Sequence, residues 1–333
     1  MRTELQNKCD QLIQNYKLLR TGNRLEYPSL VAAGAALYLE EGKAVDPVRL
    51  KECKKLLKNR KGIFSNFRGI SEFVLRCKMA LSDDPEVYLA NLDTVYKGLR
   101  SFFSGEQVLH AAMVIADSVS PSEYDAATQK TKAIYKEMHK AHPWLTSQDD
   151  MPFAALMAIL GSDETEVFQE AENIYGILKQ DLRASLESKQ MLSHVLSFSK
   201  GMAEVKTDKI CRIAEELRAA RHPLGRDRYI SILGTLAPSE LPAGELADMI
   251  CEADDYLKKF RPFRGIFGTG RQTRRMFAVQ MTEAALGEKG YASMTGAAGI
   301  SSMVSTSIEV TIITLIMLYT IIAMSAASSA ASH

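Results

Sequence analysis

The sequence predicts an all-α fold: an α-solenoid of about seven helical-hairpin repeats, a right-handed TPR/HEAT-like array, ending in an apolar C-terminal helix. Three observations predict it. A leucine or methionine recurs about every 40 residues, at Leu19, Leu56, Leu99, Met138, Leu178, Leu217 and Leu257. The positions 3, 4, 7 and 10 or 11 residues before each anchor are mostly apolar, which is one face of a helix with 3.6 residues per turn. Each anchored segment is followed by a second apolar segment, and no stretch shows the strict alternation of a strand between turn signals.

The anchor spacings are 37, 43, 39, 40, 39 and 40 residues. Self-similarity at such a period marks stacked supersecondary units, each too small to bury its own apolar face. The first helix of each unit (A) carries one stripe and a polar back. The second (B) is apolar over more than one face and needs neighbours on both sides.

The first A helix ends near Leu19 and its B partner covers 28–39. The second opens at Asp46-Pro47, is anchored at Leu56 and precedes a B segment at 69–81. The third opens at Asp84-Pro85 and shows the pattern in full with Tyr88, Leu89, Leu92, Val95, Tyr96 and Leu99; Val108, Leu109, Ala112, Met113, Ile115 and Ala116 fill its B segment, 106–118. The fourth opens at Ser120-Pro121 and is anchored at Met138. Its B segment, 150–161, holds Phe153, Ala154, Leu156, Met157, Ile159 and Leu160, behind Asp149-Asp150 as an N-cap. The fifth carries Val167, Phe168, Ala171, Ile174, Tyr175 and Leu178, with B at 187–199. The sixth is anchored at Leu217, with B at 226–237. The seventh opens at Leu241-Pro242, is anchored at Leu257, and has B at 271–285. Proline at a helix start loses no intrahelical bond, and a preceding Asp or Ser caps. Gly161, Gly201 and Gly225 fall between patterns.

Three segments follow: a repeat domain over 1–286, a Gly/Ala/Ser-rich linker over 287–309, and an apolar tail over 310–333. Val310–Ala327 is uncharged. Eighteen residues at a rise of about 1.5 Å make a helix of roughly 27 Å, near the hydrocarbon thickness of a bilayer. A membrane anchor and a helix covering the last apolar face of the array, or joining copies in an oligomer, are both consistent with it. The N-terminus lacks an apolar h-region, which predicts no secretory signal and a cytoplasmic body.

Formal net charge is +1 in 333 residues, so no global charge argues for nucleic acid. The distribution is uneven: residues 43–81 hold eleven Lys/Arg against three Asp/Glu, and residues 82–196 hold nine against eighteen. The densest basic run is Lys258–Arg275, with Lys258, Lys259, Arg261, Arg264, Arg271, Arg274 and Arg275 among Phe260, Phe263 and Phe267. Its Gly265, Gly268 and Gly270 precede a helix start. Backbone N–H groups there, with arginines beside them, form a candidate anion site. The glycines fit neither a Walker A loop nor a dinucleotide fingerprint. Residues 54–69 echo the run, each containing Gly-Ile-Phe and Phe-Arg-Gly; Ile63, Phe64, Phe67 and Arg68 are the residues concerned. Phe64 and Phe67 read as wedges of the inter-helix turn, and Arg68 joins the candidate anion-binding set. Asp254 is unusual: its slot in the stripe is Tyr, Cys or Ala in other copies.

No catalytic set, metal set or cofactor motif emerges. His110, His139, His142, His194 and His222 scatter over four repeats, and no serine lies in a G-x-S-x-G context. Cys9, Cys53, Cys77, Cys211 and Cys251 show no C-x-x-C spacing and read as small buried hydrophobes in a reducing compartment.

The segments ELQNKCDQLIQNYKLLR, RLKECKKLLKNRKGIFSNFRG, AHPWLTSQDDMPFAALMA and DDYLKKFRPFRGIFGTGRQTRRMFA, in that order and spacing, resemble the bacterial domain-of-unknown-function family four-thousand-and-three, over about residues 4–285. The Phe-Ser-x-Phe-Arg-Gly run is the most specific piece. The resemblance implies a bacterial chain of this length, often with an Ala/Ser-rich tail, and carries over no activity or catalytic residue. The functional expectation is a non-enzymatic scaffold with a protein partner. An anionic ligand or nucleic acid at 258–275, and a membrane reached through Val310–Ala327, are the alternatives.

Overall fold

The computed structural model describes residues 1–62, 65–100, 105–160, 164–226, 228–265 and 268–287. Among them are thirteen α-helices, five 3-10 segments and no strand. Two compact units form. One holds Leu12–Glu164; the other holds Met1–Gln11 and the described chain from Thr165 onward.

The helices are α1 (Thr3–Gly22), α2 (Pro28–Glu40), α3 (Pro47–Arg60), α4 (Glu72–Leu81), α5 (Pro85–Arg100), α6 (Glu106–Ser118), α7 (Tyr124–Ala141), α8 (Met151–Leu160), α9 (Glu164–Asp181), α10 (Leu186–Ser197), α11 (Ala203–Ala219), α12 (Ala243–Leu257) and α13 (Arg271–Leu286). Odd-numbered helices up to α11, and then α12, are the A helices of the sequence. Even-numbered helices up to α10, and then α13, are B helices. The remaining B segment, Arg228–Leu236, is a nine-residue 3-10 helix. A Cβ on its Gly234 would lie 2.7 Å from Val195 Cγ1, so this segment runs tight against α10. Such 3-10 runs rarely exceed four residues. Here packing, not propensity, holds the tighter coil.

In the Leu12–Glu164 unit, A packs on its own B at α3–α4, α5–α6 and α7–α8. B helices also meet one another at α2–α4 and α6–α8, and A helices at α3–α5 and α5–α7. In the other unit, α12 packs on α13, and the 3-10 helix lies against α10, α11 and α13. Residues Met1–Gln11, through the first half of α1, belong to that unit: Arg2 pairs with Glu245, and Tyr256 donates its hydroxyl to Asp10 Oδ1 at 2.7 Å.

Burial follows the predicted stripes. Leu89, Leu92, Val95, Tyr96 and Leu99 are buried on α5, whereas α2 buries every residue from Leu30 to Leu39 and α8 every residue from Met151 to Ala158. Each fully buried Leu or Ile contributes about 1.5–3 kcal/mol, so these two-sided B helices carry much of the core. One anchor shifts. On α3 the buried residue is Leu57, at 0% exposure, with Cys53 and Leu50 one and two turns before it, while Leu56 is only half-buried. The anchor spacings around it become 38 and 42 residues, closer to the rest.

The caps predicted at Asp46 and Asp84 form. Asp46 Oδ1 accepts from Val48 and Arg49 N–H at 2.9 and 3.0 Å, and Asp84 Oδ1 from Glu86 and Val87 at 2.8 and 3.1 Å. Before α8 the cap is Ser147 instead of the predicted Asp149-Asp150 pair: Ser147 and Asp150, three residues on, make a capping box. At the other ends of B helices, bases from neighbouring segments satisfy orphan carbonyls. Lys43 donates to Leu81 O at the end of α4 at 2.8 Å, and Arg49 to Asp83 O just beyond it at 2.8 Å. Buried Lys206 donates to Leu196 O in the last turn of α10 and to Ser199 O just beyond it, at 3.1 and 2.9 Å. No described helix is long and apolar enough to cross a membrane; the linker beyond Gly287 and the tail with Val310–Ala327 lie outside the described residues.

Candidate functional site

The seven bases of 258–275 divide into two groups. Arg274 and Arg275 sit in the second turn of α13 with side chains 8% and 7% exposed, both facing Asp254 of α12, itself 1% exposed. Arg274 Nε donates to Asp254 Oδ1 at 2.5 Å and Arg275 Nε to Oδ2 at 3.2 Å. The ring Nδ1 of His222 lies 2.8 Å from Oδ2. The remaining donors reach the chain: Arg274 Nη1 to Phe263 O at 3.3 Å, Arg275 Nη1 to Pro223 O at 2.6 Å and Nη2 to Arg221 O at 2.9 Å. Burial raises the Asp254 carboxyl pKa, but the Arg274, His222 and Arg275 interactions outweigh it and hold the group below the usual carboxylate range. The carboxylate thus holds together α12, α13 and the 221–223 turn, where Arg221 adopts φ 65°. Placed in the sequence-predicted anion set, Arg274 and Arg275 serve an anion of the chain itself and are not presented to solvent. The signal was in the sequence: a buried Asp at a stripe position needs a buried base.

The glycines have structural duties. A Cβ on Gly268 would lie 2.7 Å from both Pro262 O and Arg264 O, and Gly270, the N-cap of α13, has φ 81°. Phe263 is buried edge-on against Phe277, with centroids 5.9 Å apart. The other five bases, Lys258, Lys259, Arg261, Arg264 and Arg271, are exposed. Lys259 Nζ stands 5.4 Å from the Tyr256 ring centroid, and none of the five pairs with a described acid. Phe267 lies outside the described residues.

The echo in residues 54–69 resolves in the same way. Phe67 is 2% exposed, edge-on to Tyr96 at 5.1 Å, with Lys61 Nζ 4.2 Å from its centroid. This is the wedge that the sequence predicted; Ile63 and Phe64 lie outside the described residues. Arg68 Nε lies 3.4 Å from Glu72 Oε2. Arg76, 1% exposed, pairs with Glu26 and reaches Glu72 Oε1 at 3.6 Å.

A concave site lies elsewhere, between α3 and α5. Leu56, Val87, Leu89 and Ala90 line a cleft of about 450 Å³, with Arg60, Lys61, Glu86 and Asp93 around them. Arg60 Nη2 pairs with Glu86 Oε2 at 3.1 Å, Lys61 pairs with Asp93, and Lys97 Nζ reaches Asp93 at 2.7 Å. Burial raises the Asp93 carboxyl pKa, yet the two lysines hold it below its ordinary value. The cleft explains the displaced anchor: Leu56 points into it while Leu57 enters the core. In sequence, Leu56 and Leu89 stand out only as stripe residues, and no motif marks Val87, Ala90, Glu86 or Asp93. The uneven spacings of 37 and 43 on either side of Leu56 were the available signal.

The histidines stay apart. His110, 1% exposed, lies 2.7 Å from Ser71 Oγ, and His139 stacks on Tyr135. Among the described residues no three His, Cys, Asp or Glu are grouped to hold a metal ion. Cys9, Cys53 and Cys77 are buried and all five cysteines are free thiols; burial, then Asp10, pushes Cys9 up to about 12, far from a reactive thiolate.

No curated protein and no solved structure matches the chain. Residues 15–325 match the family described as "Protein of unknown function (DUF4003)", which spans both units and the segment carrying the basic echo, and the chain belongs to that family.

Proposed function

We propose that this protein is a non-enzymatic helical-repeat scaffold, an α-solenoid in which successive hairpins stack, and that its α3–α5 cleft receives a segment of a partner protein. The cleft carries the reading. Its floor is aliphatic, and its rim sets Arg60 and Lys61 opposite Glu86 and Asp93. Such a site takes one apolar side chain and orients the flanking backbone by charge, as peptide grooves between helices do. Helix-on-helix contacts between successive A and successive B elements support stacking within each unit. Ala90 is exposed, so Ala90→Arg fills the cleft without touching the core. Affinity capture from a lysate of the source organism tests the reading. Wild type enriches a protein that Ala90→Arg and Leu56→Asp lose; identical recovery by all three refutes it.

A second reading rests on Lys258, Lys259, Arg261, Arg264 and Arg271, exposed and without acidic partners among the described residues, beside the start of α13, where no side chain caps. They would hold a phosphate or nucleic-acid backbone, with affinity falling steeply as salt rises. Calorimetry with inorganic phosphate and with duplex DNA tests it: no heat with either ligand at low salt removes it. A membrane tether through Val310–Ala327 is a reading of the sequence alone.

A further inference from the structure

The basic segment 43–81 leaves a residue of uncompensated charge in one place. Of its eleven bases, seven are engaged. Lys43 and Arg49 cap carbonyls at and just past the end of α4. Arg60, Lys61, Arg68, Arg76 and Lys78 pair with Glu86, Asp93, Glu72, Glu26 and Asp117. The four that remain are Lys51, Lys54, Lys55 and Lys58. All four are exposed, all lie on α3, and none forms an ion pair among the described residues. Their spacing of 3, 4 and 7 residues sets them within an arc of about 100° along roughly 10 Å of helix. Glu52, the acid of this helix, is exposed and pairs with none of them. Like charges at such spacing repel and weaken the helix that carries them. Nothing among the described residues uses them.

We infer that this face of α3 docks on an anionic bilayer surface. The residue choice favours lipid headgroups over the alternatives. Protein interfaces are depleted in lysine, and the stripe offers no buried anchor. Readers of nucleic acid lean on arginine forks for base edges and on aromatics for stacking, and α3 presents neither on this face. Lysine supplies strongly hydrated point charges on long stems, which suits a diffuse layer of headgroup charge. The uncharged Val310–Ala327 run adds, in sequence, a segment of bilayer-spanning length in the same chain. The proposed surface is distinct from both the α3–α5 cleft and that run.

Sedimentation of the full chain with vesicles tests this. Pure phosphatidylcholine vesicles are compared with phosphatidylcholine–phosphatidylglycerol vesicles, at low salt and at about 1 M salt, where screening shortens to about 3 Å. The variant is Lys51→Gln, Lys54→Gln, Lys55→Gln and Lys58→Gln together. Its charge-matched control is Lys17→Gln, Arg24→Gln, Lys200→Gln and Arg218→Gln together, exposed bases outside both candidate sites. All eight positions are exposed, so neither variant melts below wild type, which is measured. A lysine near an anionic surface contributes about fivefold in partitioning, so the α3 variant loses several-hundredfold on anionic vesicles while the control stays near wild type. Equal binding to neutral vesicles, or equal loss in both variants, overturns the proposal. So does displacement from anionic vesicles by duplex DNA that depends on the same four lysines, which would assign the face to nucleic acid.

Discussion

Asp254→Asn isolates what the basic loop is for. The substitution keeps the shape of the side chain and removes its charge. Arg274 and Arg275 are then left with side chains 8% and 7% exposed and no carboxylate between them. Removing one partner of a buried ion pair costs about 3–5 kcal/mol. Here Arg275 keeps Pro223 O and Arg221 O, and Arg274 keeps Phe263 O, which places the loss near the lower end, about 3 kcal/mol. At a urea slope of about 1–3 kcal/mol/M this moves the midpoint down by roughly 1–3 M. Circular dichroism through a urea series reads the shift. Amide exchange localises it, with faster exchange over 220–226, the turn that Arg275 holds. The pH dependence has a defined sign. The folded pKa of Asp254 is lowered, so its contribution is present above the unfolded value near 3.9 and lost as pH falls through the folded one. The gap between wild type and variant therefore closes below about pH 4. A variant within about 0.5 kcal/mol of wild type at pH 7, with unchanged exchange over 220–226, refutes the structural role and returns both arginines to the surface account.

The register shift on α3 predicts unequal neighbours. Leu57→Ala, at a fully buried site, costs about 2–5 kcal/mol, whereas Leu56→Ala costs less than about 1.5 kcal/mol, both from urea midpoints. His110 supplies a mild-acid limb of stability. Burial pushes its pKa down to about 4, so from about pH 6.5 to 4 the unfolded chain binds a proton that the folded chain refuses, and stability falls with pH by on the order of 3 kcal/mol. His110→Gln flattens this limb; melts at pH 7 and about 4.5 check it.

Much of this architecture is legible because one physical demand repeats. An A helix must bury one stripe and a B helix almost all of itself, so composition alone separates α5 from α8. Caps are legible for a similar reason: Asp46 and Asp84 meet backbone donors two or three residues away, wholly within local sequence, whereas before α8 the cap falls on Ser147 and not on the more acidic Asp149-Asp150 pair. The rest depends on distant partners. Nothing local tells Leu56 from Leu57, since both are leucines at the edge of one stripe and only α5 decides which faces the cleft. Arg274 and Arg271 look alike in sequence, and burial of Asp254, twenty residues before Arg274, separates them. The 3-10 form of Arg228–Leu236 depends on how closely Gly234 approaches Val195.

The proposal of a protein-binding cleft is tested most directly by photo-crosslinking. A benzophenone side chain at position 90 looks into the α3–α5 cleft; one at position 133, on the exposed face of α7, does not. In living cells of the source organism, position 90 gives a discrete cross-linked protein that disappears with Leu56→Asp, and position 133 gives none. No adduct at position 90, or the same adducts from both positions, contradicts it.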